Sequence, residues 1–285
     1  MKINRILFPV DFSARCDAAA RYVELMQRAT GAEVVVFHVA NLVDYLFGVG
    51  EYGGYGVDEL YRERMADARR KLDEFGGETF KKAKRVLAEG DPGLKIVEYA
   101  HQHDIDLIML PTHGRGPFRR FLLGSVTAKV LHDAHCAVWT SAHVDQAPPA
   151  SVIGLDKIVC AVDLGPRSKE VLQWAAKLAA GRELFLAHAV PVAETRPEKY
   201  FDREFATHLM RMAEEELAKL LADCGAKAQV VIRGGDPAHV VHDVSLEKEA
   251  DVVVIGRGSA TGGFGRLRTH SYAIVRHTPC PVISV

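Results

Sequence analysis

The chain has 285 residues, a net charge of −1, 48% hydrophobic and 26% charged residues, so no overall field draws it to nucleic acid or to an anionic membrane surface. No stretch approaches the roughly 18 apolar residues of a membrane span. The opening apolar run stops at Pro9 and Asp11 without the long apolar core and cleavage site of a secretory leader, so the expectation is a cytoplasmic protein.

The length suits two domains of about 140 residues, each able to bury its own core. Five cysteines, odd in number and never in a C-x-x-C pair, read as free, mostly buried thiols. In chain order, residues 5–11 (RILFPVD) are apolar up to a carboxylate, as expected of a buried strand with Asp11 at its end. A helix is predicted over 13–30, closed by Gly31, followed by a second apolar strand, EVVVFHVA, which contains His38 and Val39. The stretch 44–57 is rich in Gly and Tyr and reads either as a cover for a pocket or as a surface loop, ahead of a helix over 58–75. Asp91-Pro92 opens a helix over 92–103, with Asp as N-cap and Pro where its missing N–H does no harm. A buried strand then follows Asp106, and the half ends with a helix and a strand at 137–140.

The order repeats. KIVCAVD, ending at Asp163, answers RILFPVD; a helix over 166–180 with Gly181, the strand ELFLAHAV with His188, Asp236-Pro237 opening a helix over 237–249, and the strand after Asp251 follow in the same sequence. The expected organisation is a domain over 1–141, a linker over 142–153 marked by Pro148 and Pro149, and a domain over 154–285. Strands alternating with helices imply right-handed βαβ units, hence an α/β fold with a doubly wound, Rossmann-like parallel sheet in each half.

In such sheets a ligand lies at the carboxyl ends of the strands where strand order reverses. In the first half those ends carry Pro9, Val10 and Asp11, then Val39, then Leu110, Pro111, Thr112, His113 and Gly114. Gly124, Ser125, Val126 and Thr127 open the last helix, where glycine admits a phosphate close to the backbone and helix N–H groups attract an anion.

The spacing Gly114-x9-Gly124-Ser125 after a strand resembles the ATP-binding signature of universal stress proteins, usually G-x2-G-x9-G-[ST]. The resemblance covers the whole chain as two tandem copies, because the Val-Asp strand end, the Asp-Pro helix start, the signature loop and the Cys-Pro-Val-like ending recur in order. It implies that Asp11 and Val39 touch the adenine and ribose end, and that Gly114, Gly124, Ser125, Val126 and Thr127 touch ribose and phosphates. It also implies an adenine-nucleotide-hydrolase-like fold, ATP or another adenine nucleotide with Mg2+ as ligand, an unknown protein partner, a pseudo-dimer within one chain, and a further homodimer as an option. The first signature glycine is Pro111 here, which fixes φ and removes an N–H. The second half departs further: its counterparts are Asp163, Gly256, Gly258, Arg268 and Thr269, one strand-end residue is missing, and Arg268 replaces the glycine at the helix start.

Plainer roles stand beside these. Asp11 and Asp163 could serve only to hold the backbone of the following turn, and Ser125 could cap an empty helix. Arg115, Arg119 and Arg120 lie either near the outer phosphates or in a solvated loop. His101, His103, His132, His135 and Cys136 lack a second cluster at metal-ligand spacing, and there is no G-x-S-x-G nucleophile elbow. The expectation is a non-catalytic adenine-nucleotide-binding module of stress response or signalling. The alternatives are an interaction module with vestigial sites and a slow ATPase.

Overall fold

The computed structural model describes residues 2–41, 57–112, 123–144, 153–190, 203–257 and 269–285. The chain divides into two compact units, Lys2–Val138 and Trp139–Val285. The N-terminal half runs β1 (Arg5–Pro9), α1 (Ala14–Thr30), β2 (Glu33–Ala40), α2 (Val57–Glu74), β3 (Lys84–Glu89), α3 (Pro92–Gln102), β4 (Leu107–Met109), α4 (Ser125–Asp133) and β5 (Ala137–Thr140). The C-terminal half repeats it as β6 (Lys157–Ala161), α5 (Ser168–Ala179), β7 (Glu183–Val190), α6 (Arg203–Cys224), β8 (Gln229–Gly234), α7 (Pro237–Glu247), β9 (Val252–Ile255), α8 (Thr269–His277) and β10 (Val282–Ser284).

Strand order is β3-β2-β1-β4-β5 in the first half and β8-β7-β6-β9-β10 in the second. The pairs β1–β2, β1–β4 and β2–β3, and their counterparts β6–β7, β6–β9 and β7–β8, are all parallel. Each half is therefore a doubly wound α/β sheet whose order reverses at its first strand, beside β4 or β9. The central strands are buried on both faces, as their unbroken apolar runs require: Ile6, Leu7, Phe8, Leu107, Ile108, Met109, Ile158, Val159, Cys160, Val253 and Val254 are fully inaccessible.

Helices cover the sheets with narrow apolar stripes. In α1 the buried residues are Cys16, Ala19, Val23 and Met26, spaced for one face of a helix, and Gly31 ends it in the left-handed region at φ 72. Asp91 Oδ1 accepts the Leu94 N–H at 2.7 Å, and Asp236 Oδ1 accepts the N–H groups of Ala238 and His239 at 2.9 and 3.2 Å, so both Asp-Pro starts are built as expected.

Several boundaries differ from the sequence reading. Helix α5 starts at Ser168, because Pro166 and Arg167 are used in the preceding turn, and it is closed by left-handed Ala180 (φ 36) ahead of Gly181. Helices α3 and α7 stop short of the expected ends, since Asp104 (φ 48) and Glu249 (φ 50) turn left-handed and direct Ile105 N–H to Ala100 O and Ala250 N–H to Ser245 O. Strands β3 and β8 and helix α6 were not foreseen. Both strands are half-exposed and carry charged residues, so neither has the apolar run that marks β1 or β4.

Arg85 on β3 organises its surroundings. Its guanidinium donates to the carbonyls of Leu72, Phe75, Phe80 and Ala83 at 2.8–3.3 Å, satisfying the C-terminal carbonyls of α2 and the turn after it. Among the described residues, no helix is long and apolar enough to cross a membrane.

Candidate functional site

At the carboxyl end of β1 the chain makes a turn built from several independent contacts. Asp11 Oδ1 accepts the Ser13 N–H at 3.0 Å and the Cys16 S–H at 3.0 Å. Burial, and then the adjacent Asp11 carboxylate, push the Cys16 thiol up to about 12, so it keeps its proton and donates. Phe12 between them is left-handed at φ 60, a strained conformation for a bulky residue that persists only where its surroundings hold it. Its ring lies 4.3 Å from that of His38. His38 Nδ1 is 2.7 Å from the Val10 carbonyl oxygen, and a carbonyl only accepts, so the proton sits on Nδ1.

The end of β4 is tied to the start of α4. Thr127 Oγ1 donates to the Pro111 carbonyl at 3.0 Å, and the Gly124 N–H donates to the Thr112 carbonyl at 2.8 Å, closing the neck of the β4–α4 connection. Helix α4 has Gly124 as N-cap (φ −61, ψ 147) with no side-chain cap bond, unlike the Asp-capped α3 and α7. A helix start built this way directs N–H groups outward to an anion.

The C-terminal unit repeats this construction with altered chemistry. Asp163 Oδ1 accepts the Gly165 N–H at 2.9 Å and the Ser168 hydroxyl at 3.3 Å, Leu164 is left-handed at φ 55, and His188 Nδ1 is 2.9 Å from the Val162 carbonyl. Ser271 Oγ donates to the Gly256 carbonyl at 3.2 Å, as Thr127 does to Pro111. A cavity of ≈ 440 Å³ opens at these strand ends, within the usual range for small-ligand sites. Its wall includes Asp163, His188, Gly256, His270 and Ser271, with Val171, Val241 and Ile274 supplying apolar surface. A Cβ at Gly256 would stand 3.1 Å from Val171 Cγ2, so a larger residue would crowd that side chain of the wall. His270, on the first turn of α8, places Nδ1 3.7 Å from Asp236 Oδ2.

Of the residues singled out in sequence, Pro9, Val10, Asp11 and Val39 fall at the ends of β1 and β2, and Leu110 follows β4. Gly124, Ser125, Val126 and Thr127 start α4, Gly256 follows β9, and Thr269 starts α8. Asp11 and Asp163 both perform the plainer backbone-holding role, whatever else they do. Gly114, Gly258, Arg268, His113, Arg115, Arg119 and Arg120, the 44–56 stretch and 145–152 of the expected linker lie outside the described residues. Val144, inside that expected linker, is buried.

Cys16 and Ser168 escaped the sequence reading, although a side-chain donor following each Asp at the same spacing was available as a signal. The wall positions of His270 and Ser271 were not predictable, because they depend on how α8 is set against β9. Among the described residues, no group of three or more His, Cys, Asp or Glu is placed to hold a metal ion.

Each half is thus a doubly wound α/β unit whose strand order reverses at its first strand, the place where sheets of this class hold ligands when they bind them. The model of the Universal stress protein family matches residues 2–141 and 154–285. The chain belongs to that family. A universal stress protein of Methanocaldococcus jannaschii is 31% identical over 135 residues, covering 47% of this chain and 79% of that protein. The universal stress protein YxiE of Bacillus subtilis is 24% identical over 142 residues, covering 47% of this chain and 96% of YxiE. The crystal structure of a universal stress protein from Archaeoglobus fulgidus aligns over 100% of this chain and 98% of its own, with TM-score 0.72 at 21% identity, a likeness of fold.

Proposed function

We propose that this universal stress protein binds an adenine nucleotide in its N-terminal unit and acts as a non-catalytic module of stress response. The observation that carries this reading is the start of α4. Gly124 presents helix N–H groups beside the end of β4, next to the β1 end that bears Asp11. Asp11 and Val39 would meet the base and ribose; Gly114, Gly124, Ser125, Val126 and Thr127 would meet ribose and phosphates, with Mg2+ travelling on the nucleotide. Asp11 Oδ1 already accepts two hydrogen bonds, which suits a fixed contact better than a proton acceptor in hydrolysis. Occupancy would alter the loop after β4 and so the surface offered to a protein partner.

Mass spectrometry of the freshly purified, undialysed chain tests this reading, the expected result being a co-purifying adenine nucleotide. ATP turnover above background in the purified protein would instead favour the ATPase alternative. The proposed domains are 1–141 and 154–285.

A second reading is favoured by the cavity of ≈ 440 Å³ in the C-terminal unit: that unit, with Asp163, Gly256 and Thr269, holds the ligand. Arg268 argues against phosphates there, since the signature has at that position a glycine, which lets a phosphate approach the backbone closely.

A further inference from the structure

The carboxylates at the ends of β1 and β6 are held in the same way by chemically different side chains. In each unit a backbone N–H two residues on gives to Oδ1, and a side chain five residues on gives to the same oxygen: the Cys16 thiol at 3.0 Å for Asp11, the Ser168 hydroxyl at 3.3 Å for Asp163. The Asp11 N–H also returns to Cys16 Sγ at 3.4 Å, so the thiol brackets this residue from both its backbone and its carboxylate. Both donors are buried, Cys16 at 2% and Ser168 at 4% exposure. A left-handed residue, Phe12 or Leu164, follows each Asp. The same strained turn with the same two-donor arrangement, built twice from different side chains, indicates that the orientation of the carboxylate is what the turn maintains.

We propose that Cys16 is a positioning residue for the nucleotide site, fixing the rotamer of Asp11 so that the carboxylate is oriented before the ligand arrives; Ser168 holds Asp163 by the same bond in the unit without nucleotide. The proposal rests on Asp11 being a nucleotide contact. One donor from the backbone leaves a carboxylate free to swing about Cα–Cβ and Cβ–Cγ. A second donor from a different direction fixes both torsions, and a prebuilt contact loses less freedom on binding. Because the thiol remains protonated, this support is present throughout the neutral pH range.

Calorimetric titration of the full chain with Mg-ATP, in native, Cys16→Ala, Cys16→Ser and Asp11→Ala forms, tests it. Cys16→Ala should weaken binding by about fivefold, the worth of one net hydrogen bond, and Cys16→Ser, which keeps a donor, should recover native affinity to within about twofold. Equal losses in the Ala and Ser variants would mean that the thiol only fills space, and would overturn the proposal. An unchanged Cys16→Ala beside a weakened Asp11→Ala would overturn the positioning role alone. An unchanged Asp11→Ala, or no binding by the native chain, would overturn the underlying reading and this proposal with it.

Discussion

In the N-terminal unit β1 leads through Asp11 and left-handed Phe12 into α1, and in the C-terminal unit β6 leads through Asp163 and left-handed Leu164 into α5. A histidine locks the strand-end carbonyl and a hydroxyl from the last helix ties down the neighbouring strand in both. The residues that would meet a ligand's far end are not shared: Pro111, Gly124 and Val126 in one unit stand where Gly256, Arg268 and His270 stand in the other. The contrast teaches that hydrogen bonds within the turn, and from the last helix to the neighbouring strand end, are kept in both units, while the residue types at the helix entry differ between them. The plainer and the ligand-binding readings of Asp11 are therefore compatible, because one oxygen can hold the turn while the residue still faces the crevice.

The largest expected difference between the units lies in the cores beneath these turns. Phe8 of β1 is inaccessible and packs against Phe75 and Phe80 with ring centroids 5.8 and 5.9 Å away; the same register position in β6 is Cys160. Phe8→Ala should cost about 3–5 kcal/mol by leaving a cavity, whereas Cys160→Ala should cost only about 1 kcal/mol. Chemical denaturation of both variants checks this, and equal losses would show that the two cores are not built differently.

A smaller contrast sits on the edge strands. Arg85 holds four carbonyls, but the corresponding residue of β8 is Val230, which is 41% exposed. Arg85→Ala should cost about 2–3 kcal/mol, since a charged donor leaves partly buried carbonyls behind. Val230→Ala should change stability by no more than about 0.5 kcal/mol.

The caps should behave alike. Asp91→Ala and Asp236→Ala each remove a side-chain acceptor from a helix start and should each cost about 1 kcal/mol in thermal or denaturant unfolding. A clearly larger effect at Asp236 would mean that its approach to His270 contributes as well. Asp11→Ala should fall in the same small range, about 1–2 kcal/mol, while weakening nucleotide binding.

Much of this was legible in the sequence because it depends on local chemistry. The buried strands announce themselves as apolar runs, the Asp-Pro starts as caps, and the repeat as their common order. What was not legible depends on contacts distant in sequence. Strand β3 reads as a charged segment until Arg85 is seen to reach the end of α2, and α5 closes at left-handed Ala180, one residue ahead of the glycine that marks the end in sequence. The C-terminal cavity is not legible in sequence: Arg268 marks that half as the weaker candidate, and the space is enclosed by residues of β6, α5, β7, α7, β9 and α8 brought together by the fold. Cys16 reads in sequence only as one of five free, mostly buried thiols, and the signal of its bond to Asp11 lies in comparing the two copies, where Ser168 follows Asp163 at the same spacing.

The most direct test of the asymmetry between the units is the stoichiometry of Mg-ATP binding by calorimetry, measured on the native chain, Gly124→Arg and Arg268→Gly. One nucleotide per chain is predicted, lost in Gly124→Arg, which places an arginine at the helix start as in the C-terminal unit, and joined by a weaker second site in Arg268→Gly. Two sites of equal affinity would contradict the asymmetry, and binding that survives Gly124→Arg would transfer the assignment to the cavity beside Asp163.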